Sequence, residues 1–316
     1  KAYKPMARWS ALLSIAVLLG GLAVLVLDLG RPDRLIIAMT KYNFTSIFAW
    51  NMILYNGFFA IVGVYLVVQM TKGLSPTIHK AAGVAAFTWR LILTTGTGSI
   101  FGWLVARPGY DAAIMAPLFI AMSFAFGLAL FLLVTLTIFR LDGREFGDKL
   151  MLRMGSLLGV FVAAVLYFTI VQHLTAMYAQ EHAGVERFIL RDGGIYTMLF
   201  WGVQVLLGGL IPMALVFLKP SRGSTILASV LVIIGGLAQL YVIVIGGQAY
   251  PLEIFPGYEV LEGFNEGMVN AYSPSIYELA LGLGGVAVTL LAAGVGAKVL
   301  RVLPTNLSDA NVPADG

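Results

Sequence analysis

Eight continuous apolar runs, each long enough to cross a lipid bilayer, constrain this chain more than anything else in it. They cover roughly 9–28, 44–70, 80–104, 114–139, 150–178, 195–218, 224–247 and 277–301. A spanning helix needs ~20 largely apolar residues to cover the ~30 Å hydrocarbon core. The runs are unbroken rather than alternating, which excludes an outer-membrane β-barrel. Turn and charge signals separate them: Arg31-Pro32-Asp33-Arg34, Lys72-Gly73, Arg107-Pro108-Gly109, Asp142-Gly143-Arg144, Arg191-Asp192-Gly193-Gly194 and Lys219-Pro220-Ser221-Arg222-Gly223. Charged residues make up only 11% of the chain and the mean hydropathy is +0.90, against ~25% charged in a soluble domain. The first run, Trp9 to Leu27, is too long for the apolar core of a signal peptide and reads as a span. The expected fold is an all-α integral membrane protein, a bundle of about eight transmembrane helices.

The basic residues orient it. One side, starting from the N-terminus, carries Lys1, Lys4, Arg8, Lys72, Lys80, Arg140, Arg144, Lys149, Arg153, Lys219, Arg222, Lys298 and Arg301. The opposite side carries Arg31, Arg34, Lys41, Arg107, Arg187 and Arg191. The richer side faces the cytoplasm by the positive-inside rule, which places both termini there and the poorer side outside. The longest connection, 248–276, falls outside and holds Glu253, Glu259, Glu262 and Glu266 without a single Lys or Arg. Its acids, prolines and aromatics read either as a solvated cap or as a docking surface for a protein, and not for nucleic acid.

Few residues can carry chemistry. There are no cysteines, so this chain supplies no disulfide, no cluster or zinc thiolate and no covalent haem attachment. Its histidines are His79 at the cytoplasmic end of span three and His173 and His182 around the far end of span five, a poor arrangement for a bis-His haem. Arg90 sits near the middle of span three, where a charge is costly enough to call for an inward orientation and a partner. It reads as a proton-path or anion-stabilising residue, or else as an interhelical structural contact. Asn51, Asn56, Thr94, Thr95, Thr97, Gln204 and Gln239 lie within spans, where such groups usually serve as interhelical glue. At the outer ends of the spans gather Asp28, Arg31, Trp50, Tyr110, His173, Tyr178, Glu181, His182, Tyr196 and Tyr250. The aromatics suit a membrane interface in any case. An acid or imidazole beside apolar walls is what quinone chemistry requires, because each quinone oxygen exchanges a proton as electrons move.

Leu27-Asp28-Leu29-Gly30-Arg31-Pro32 with Asn43-Phe44-Thr45-Ser46, Ala106-Arg107-Pro108 with Ala116-Pro117, and Gly194-Ile195-Tyr196 with Leu199-Phe200-Trp201 and Gly208-Gly209-Leu210-Ile211-Pro212 resemble the NrfD/polysulfide reductase membrane-subunit family. Gly246-Gly247-Gln248-Ala249-Tyr250-Pro251 through Pro256-Gly257-Tyr258, with Ala271-Tyr272-Ser273-Pro274-Ser275, is most similar to the DsrP-type subunits. The resemblance covers nearly the whole chain. It implies one NrfD-type transmembrane domain over 1–316, with a first bundle at 9–139 holding a quinone site and a second at 150–301 bearing the outer loop 248–276. Members of the DsrP type have about ten spans of ~20 residues, so two helices ahead of Lys1 would complete the first bundle. The implied activity is that of a quinone-handling subunit in the cytoplasmic membrane of a prokaryote, using menaquinone or ubiquinone and binding no metal or haem itself. Electrons would pass to or from an extracytoplasmic, ferredoxin-like iron–sulfur subunit, with further partners such as a molybdoenzyme or a cytochrome. On chemistry and placement, the expected proton-exchanging residues are Asp28 or else Glu181 with His182, and Arg90 is the expected internal-path or anion-stabilising residue. Arg31, Trp50, Asn51, Thr94, Tyr110 and Tyr196 would line the quinone. Where Thr94 stands, relatives often have a histidine, so Arg90 or Asp28 takes over that role here. The rival readings are a secondary transporter with broken helices at Gly96 and Gly98 or Gly235 and Gly236, and a purely structural membrane anchor.

Overall fold

The structure is a computed structural model that describes residues 6–252, 269, 272–304, 307 and 309. Glu253, Glu259, Glu262 and Glu266 lie outside the described residues. All elements found among the described residues are helical. In chain order they are α1 (Ala7–Asp28), the short α2 (Leu35–Thr40), α3 (Ile47–Met70), α4 (Pro76–Gly102), α5 (Met115–Leu141), α6 (Asp148–Tyr178), the short α7 (Ala183–Arg187), α8 (Ile195–Leu218), α9 (Arg222–Ala249) and α10 (Ile276–Val299). Seven of these, α1, α3, α5, α6, α8, α9 and α10, are long and apolar enough to cross a membrane. Helix α4 has the length, at 27 residues, but Lys80, Arg90 and a run of threonines make it more polar.

The distribution of side chains is inside-out. Buried positions include Asn51, Thr169, His173, Glu186, Gln204 and Gln239, while Leu25, Val64, Leu174, Leu237, Leu283 and Leu291 stand exposed. Lipid solvates those apolar faces, so helix association rests on close packing and interhelical hydrogen bonds rather than on hydrophobic burial.

The chain divides into two compact units, 1–96 with 274–316, and 97–273. In the first, α1 and α10 run antiparallel: Leu12 meets Gly296, and Gly20 and Val24 meet Gly285. A Cβ on Gly20 would stand 2.5 Å from the Gly285 carbonyl oxygen, a contact that only small residues permit. Helices α3 and α4 also pair antiparallel. Asn51 Nδ2 donates to the Gly96 carbonyl, Trp89 Nε1 donates to the Leu54 carbonyl, each at 3.0 Å, and Tyr65 lies over Gly83. Arg8 Nε donates to the Gln69 carbonyl at 2.7 Å, tying the start of α1 to the end of α3. Ser275 and Glu278 close a reciprocal capping box at the start of α10.

The second unit is built on α5, α6, α8 and α9 around Met115, Leu118, Ala125, Ala129, Leu158, Val162 and Val232. Helices α8 and α9 cross at Gly208 and Gly235, where an added Cβ on either would lie 2.5 or 2.3 Å from the opposing Cα. Three stretches adopt wide π-helical turns: Phe188–Asp192 after α7, Leu199–Leu210 in α8 and Val242–Gly246 in α9. The α8 stretch ends just before Pro212, which has no N–H to return to the carbonyl four residues back. At the other end of this unit, Arg222 Nη1 donates to the Phe146 carbonyl at 2.7 Å and to Asp148 Oδ1 at 3.0 Å.

Candidate functional site

In the first unit the expected residues fall into two groups. Asp28, at the end of α1, and Arg31 are exposed. Trp50, at the start of α3, is also exposed, its indole N–H donating to the Phe44 carbonyl at 2.9 Å. The Trp50 ring meets that of Phe44 edge-on, and Tyr42 joins them. These three positions therefore present a carboxylate, a guanidinium and open aromatic surface at one end of the unit. Asn51 and Thr94 are committed elsewhere. The buried Asn51 amide donates to the Ile47 and Gly96 carbonyls, and the Thr94 hydroxyl donates to the Arg90 carbonyl at 2.9 Å. Arg90 is half-buried midway along α4, and its guanidinium makes no hydrogen bond or ion pair among the described residues.

In the second unit, Arg107-Pro108-Gly109-Tyr110 acts as a latch. Arg107 Nη1 donates to the Gln248 carbonyl at 3.2 Å, and the Pro108 carbonyl meets His182 Nδ1 at 2.8 Å. Gly109 lies against Gly247, where a Cβ would come within 2.8 Å of the Gly247 Cα. The buried Tyr110 hydroxyl donates to the Val244 carbonyl at 2.8 Å. Burial raises the Tyr110 phenol above its usual range, opposed by the Gln248 side chain and the Arg107 charge, so it remains the neutral donor that this bond needs. Asp111, with φ of 62°, turns the chain away into α5, a conformation that Asp tolerates better than most residues. Two of the motifs that carry the family resemblance, 106–108 and 246–250, are thus direct neighbours.

Tyr196 is buried between Tyr241 and Phe188, stacked on Tyr241 with ring centroids 6.0 Å apart. Glu181 is 79% exposed at its side chain and lies 3.7 Å from His182 Nε2. Tyr110 and His182 thus make hydrogen bonds to backbone carbonyls and Tyr196 packs among aromatic rings, while Glu181 is open.

A well-buried polar pair joins residues that sequence reasoning did not put together. His173 Nδ1 and Glu186 Oε2 share a hydrogen bond of 2.6 Å, with side chains only 11% and 6% exposed. In sequence Glu186 reads as one half of a charged Glu186-Arg187 step between Val185 and Phe188-Ile189. His173, but not Glu186, borders a cavity of about 20 Å³ whose lining also includes Thr169, Gln172, Phe200, Gln204 and Gln239. A second, of about 10 Å³, lies deeper and shares Gln204 and Gln239. Each has the room of about one water and neither admits an aromatic ring. Among the described residues, no group of three or more His, Asp or Glu side chains is placed to hold a metal ion.

Comparison with known proteins matches residues 1–251 to the family model of polysulphide reductase NrfD. The chain is 30% identical to an Hdr-like menaquinol oxidoreductase integral membrane subunit of Archaeoglobus fulgidus, over 96% of this chain and 78% of that protein. It is 25% identical to a polysulfide reductase chain of Wolinella succinogenes, over 76% of this chain and 81% of the relative. With a selenate reductase subunit of Mesobacillus selenatarsenatis it shares 21% identity, over 96% and 79% respectively. On the extent of that match and of its nearly full-length similarity to an archaeal membrane subunit, this multi-pass membrane protein belongs to the polysulphide reductase NrfD family.

Proposed function

We propose that the chain is the quinone-interacting membrane subunit of a multisubunit redox complex in a prokaryotic cytoplasmic membrane. The observation that carries this reading is the similarity, along 96% of the chain, to a membrane subunit named for menaquinol oxidation. The chain lacks cysteine, so electrons pass through a partner, for which an extracytoplasmic iron–sulfur subunit is the chemical match. With the basic residues cytoplasmic, Asp28, Arg31 and Trp50 face outward, toward that partner.

Neither of the two described cavities of the second unit has room for a quinone ring, and we therefore assign the quinone to the open end of the first. There the residues fit: Trp50 and Phe44 offer exposed ring faces, Arg31 a donor and Asp28 a proton acceptor. A quinol releases two electrons and two protons on oxidation. This chain's part is to hold the ring against Trp50, steady developing negative charge with Arg31, and take a proton on the Asp28 carboxylate. Glu181 offers a second exposed carboxylate on the outer side.

In the intact complex, Asp28→Asn should lower quinol oxidation by about 10²-fold, the usual contribution of a positioned base, with assembly unchanged. An azido-quinone should label the 28–50 segment. Full activity in Asp28→Asn together with no labelling anywhere on the chain would remove the quinone reading.

A further inference from the structure

We propose that the cavity bounded by His173, Gln204 and Gln239 is a water-binding site that hydrates the His173 side of the His173–Glu186 pair. The ligand is a water donating a hydrogen bond to Gln204. Gln204 is 7% exposed, and its Oε1 is buried with no hydrogen-bond partner. An amide oxygen left unpaired in a protein interior costs about 1–3 kcal/mol, and native structures place a partner there, often water. The cavity beside it is about 20 Å³, above the ~10–15 Å³ that one water requires. Its walls supply the further polar groups that a buried water needs: Gln172, Thr169 and His173, whose Nδ1 is already taken by Glu186. Gln239 closes the other side, its Nε2 donating to Thr169 Oγ1 at 3.2 Å.

Backbone geometry points to the same place. Each of the three π-helical stretches contributes to this wall: Ile189 from the first, Phe200 and Gln204 from the second, Val242 and Ile243 from the third. π-Turns recur at functional sites, and here three such stretches surround one cavity that holds both polar and apolar side chains. A water in it makes Glu186, His173, water and Gln204 one hydrogen-bonded series leading from α7 into the membrane-embedded core. This goes beyond the quinone reading and does not depend on it, since every group involved belongs to the second unit.

Two equally buried methionines make the test. Met115, 1% exposed, lines the cavity, whereas Met151, 0% exposed, lines neither of the two described cavities. X-ray radiolysis of the complex in native membranes, after brief mixing with ¹⁸O-water, oxidises side chains next to bound water. Met115 should take up ¹⁸O several-fold faster than Met151, and Gln204→Leu should bring it down to the Met151 level. Equal labelling of the two methionines in the wild type overturns the site, and that comparison stands even if the variant fails to fold. Label on Met115 that persists undiminished in Gln204→Leu overturns Gln204 as the group that holds the water.

Discussion

A carboxylate taken out of water needs a partner, and Glu186 has His173. Replacing His173 with Leu leaves the buried acid without its hydrogen-bond partner and should destabilise the solubilised chain by about 1–3 kcal/mol, while adding Glu186→Leu should recover much of that loss. Thermal unfolding of both variants in one detergent reads the difference. Sequence proximity misleads here: Arg187 follows Glu186 directly, yet Arg187 Nε pairs with Asp192 at 2.8 Å while Glu186 turns inward. The exposure of Asp28 and Arg31 was easier to read, because both interrupt apolar sequence at a span's end. What the sequence could not tell was which polar groups are already spoken for. Asn51, Thr94 and Tyr110 were expected to line a quinone, and all three bond to backbone carbonyls. Tyr110→Phe should cost about 0.5–1.5 kcal/mol through the lost bond to Val244. Because folding raises the phenol's pKa, the folded state is favoured below the free value of ~10 and loses that advantage as pH climbs through the raised one. Wild type should therefore lose stability relative to Tyr110→Phe only in strong alkali.

At the scale of helices, unbroken apolar runs located the spans well, since lipid imposes one length on all of them. The π-turns left no such trace, because an apolar stretch reads alike at either pitch; Pro212 and the neighbouring Gly208-Gly209 pair were the available hint. The crossing of α8 and α9 depends on backbone meeting backbone at Gly208 and Gly235. No flexible side chain is there to yield, so Gly235→Ala should cost about 1–3 kcal/mol by overpacking. Gly202→Ala, in the partner helix α8 but with nothing within 4 Å of the added carbon, should be far milder. Thermal denaturation of the two variants side by side tests whether close approach, rather than glycine itself, sets the cost.

For the molecule as a whole, the all-α membrane class was written in composition, but the pairing of the first and last helices was not. An apolar face turned to lipid and one turned to a neighbour look the same in sequence, and only the small residues Gly20 and Gly285 mark the seam. A Cβ on Gly285 would stand 3.7 Å from that of Val24, close to the ~3.8 Å mean of a disulfide. The double variant Val24→Cys, Gly285→Cys should therefore cross-link on mild oxidation, with no native cysteine to compete; a peptide map of the oxidised chain shows the bond or its absence. The same seam dictates an order of events during biogenesis. Helix α1 enters the bilayer about 250 residues before its partner is translated, a delay on the order of 10–50 s at ordinary ribosome speed. Through that interval the Gly20 face has only lipid or the insertion machinery to rest on. Any ribosomal stall upstream of residue 276 would leave α1 waiting in the membrane without its mate.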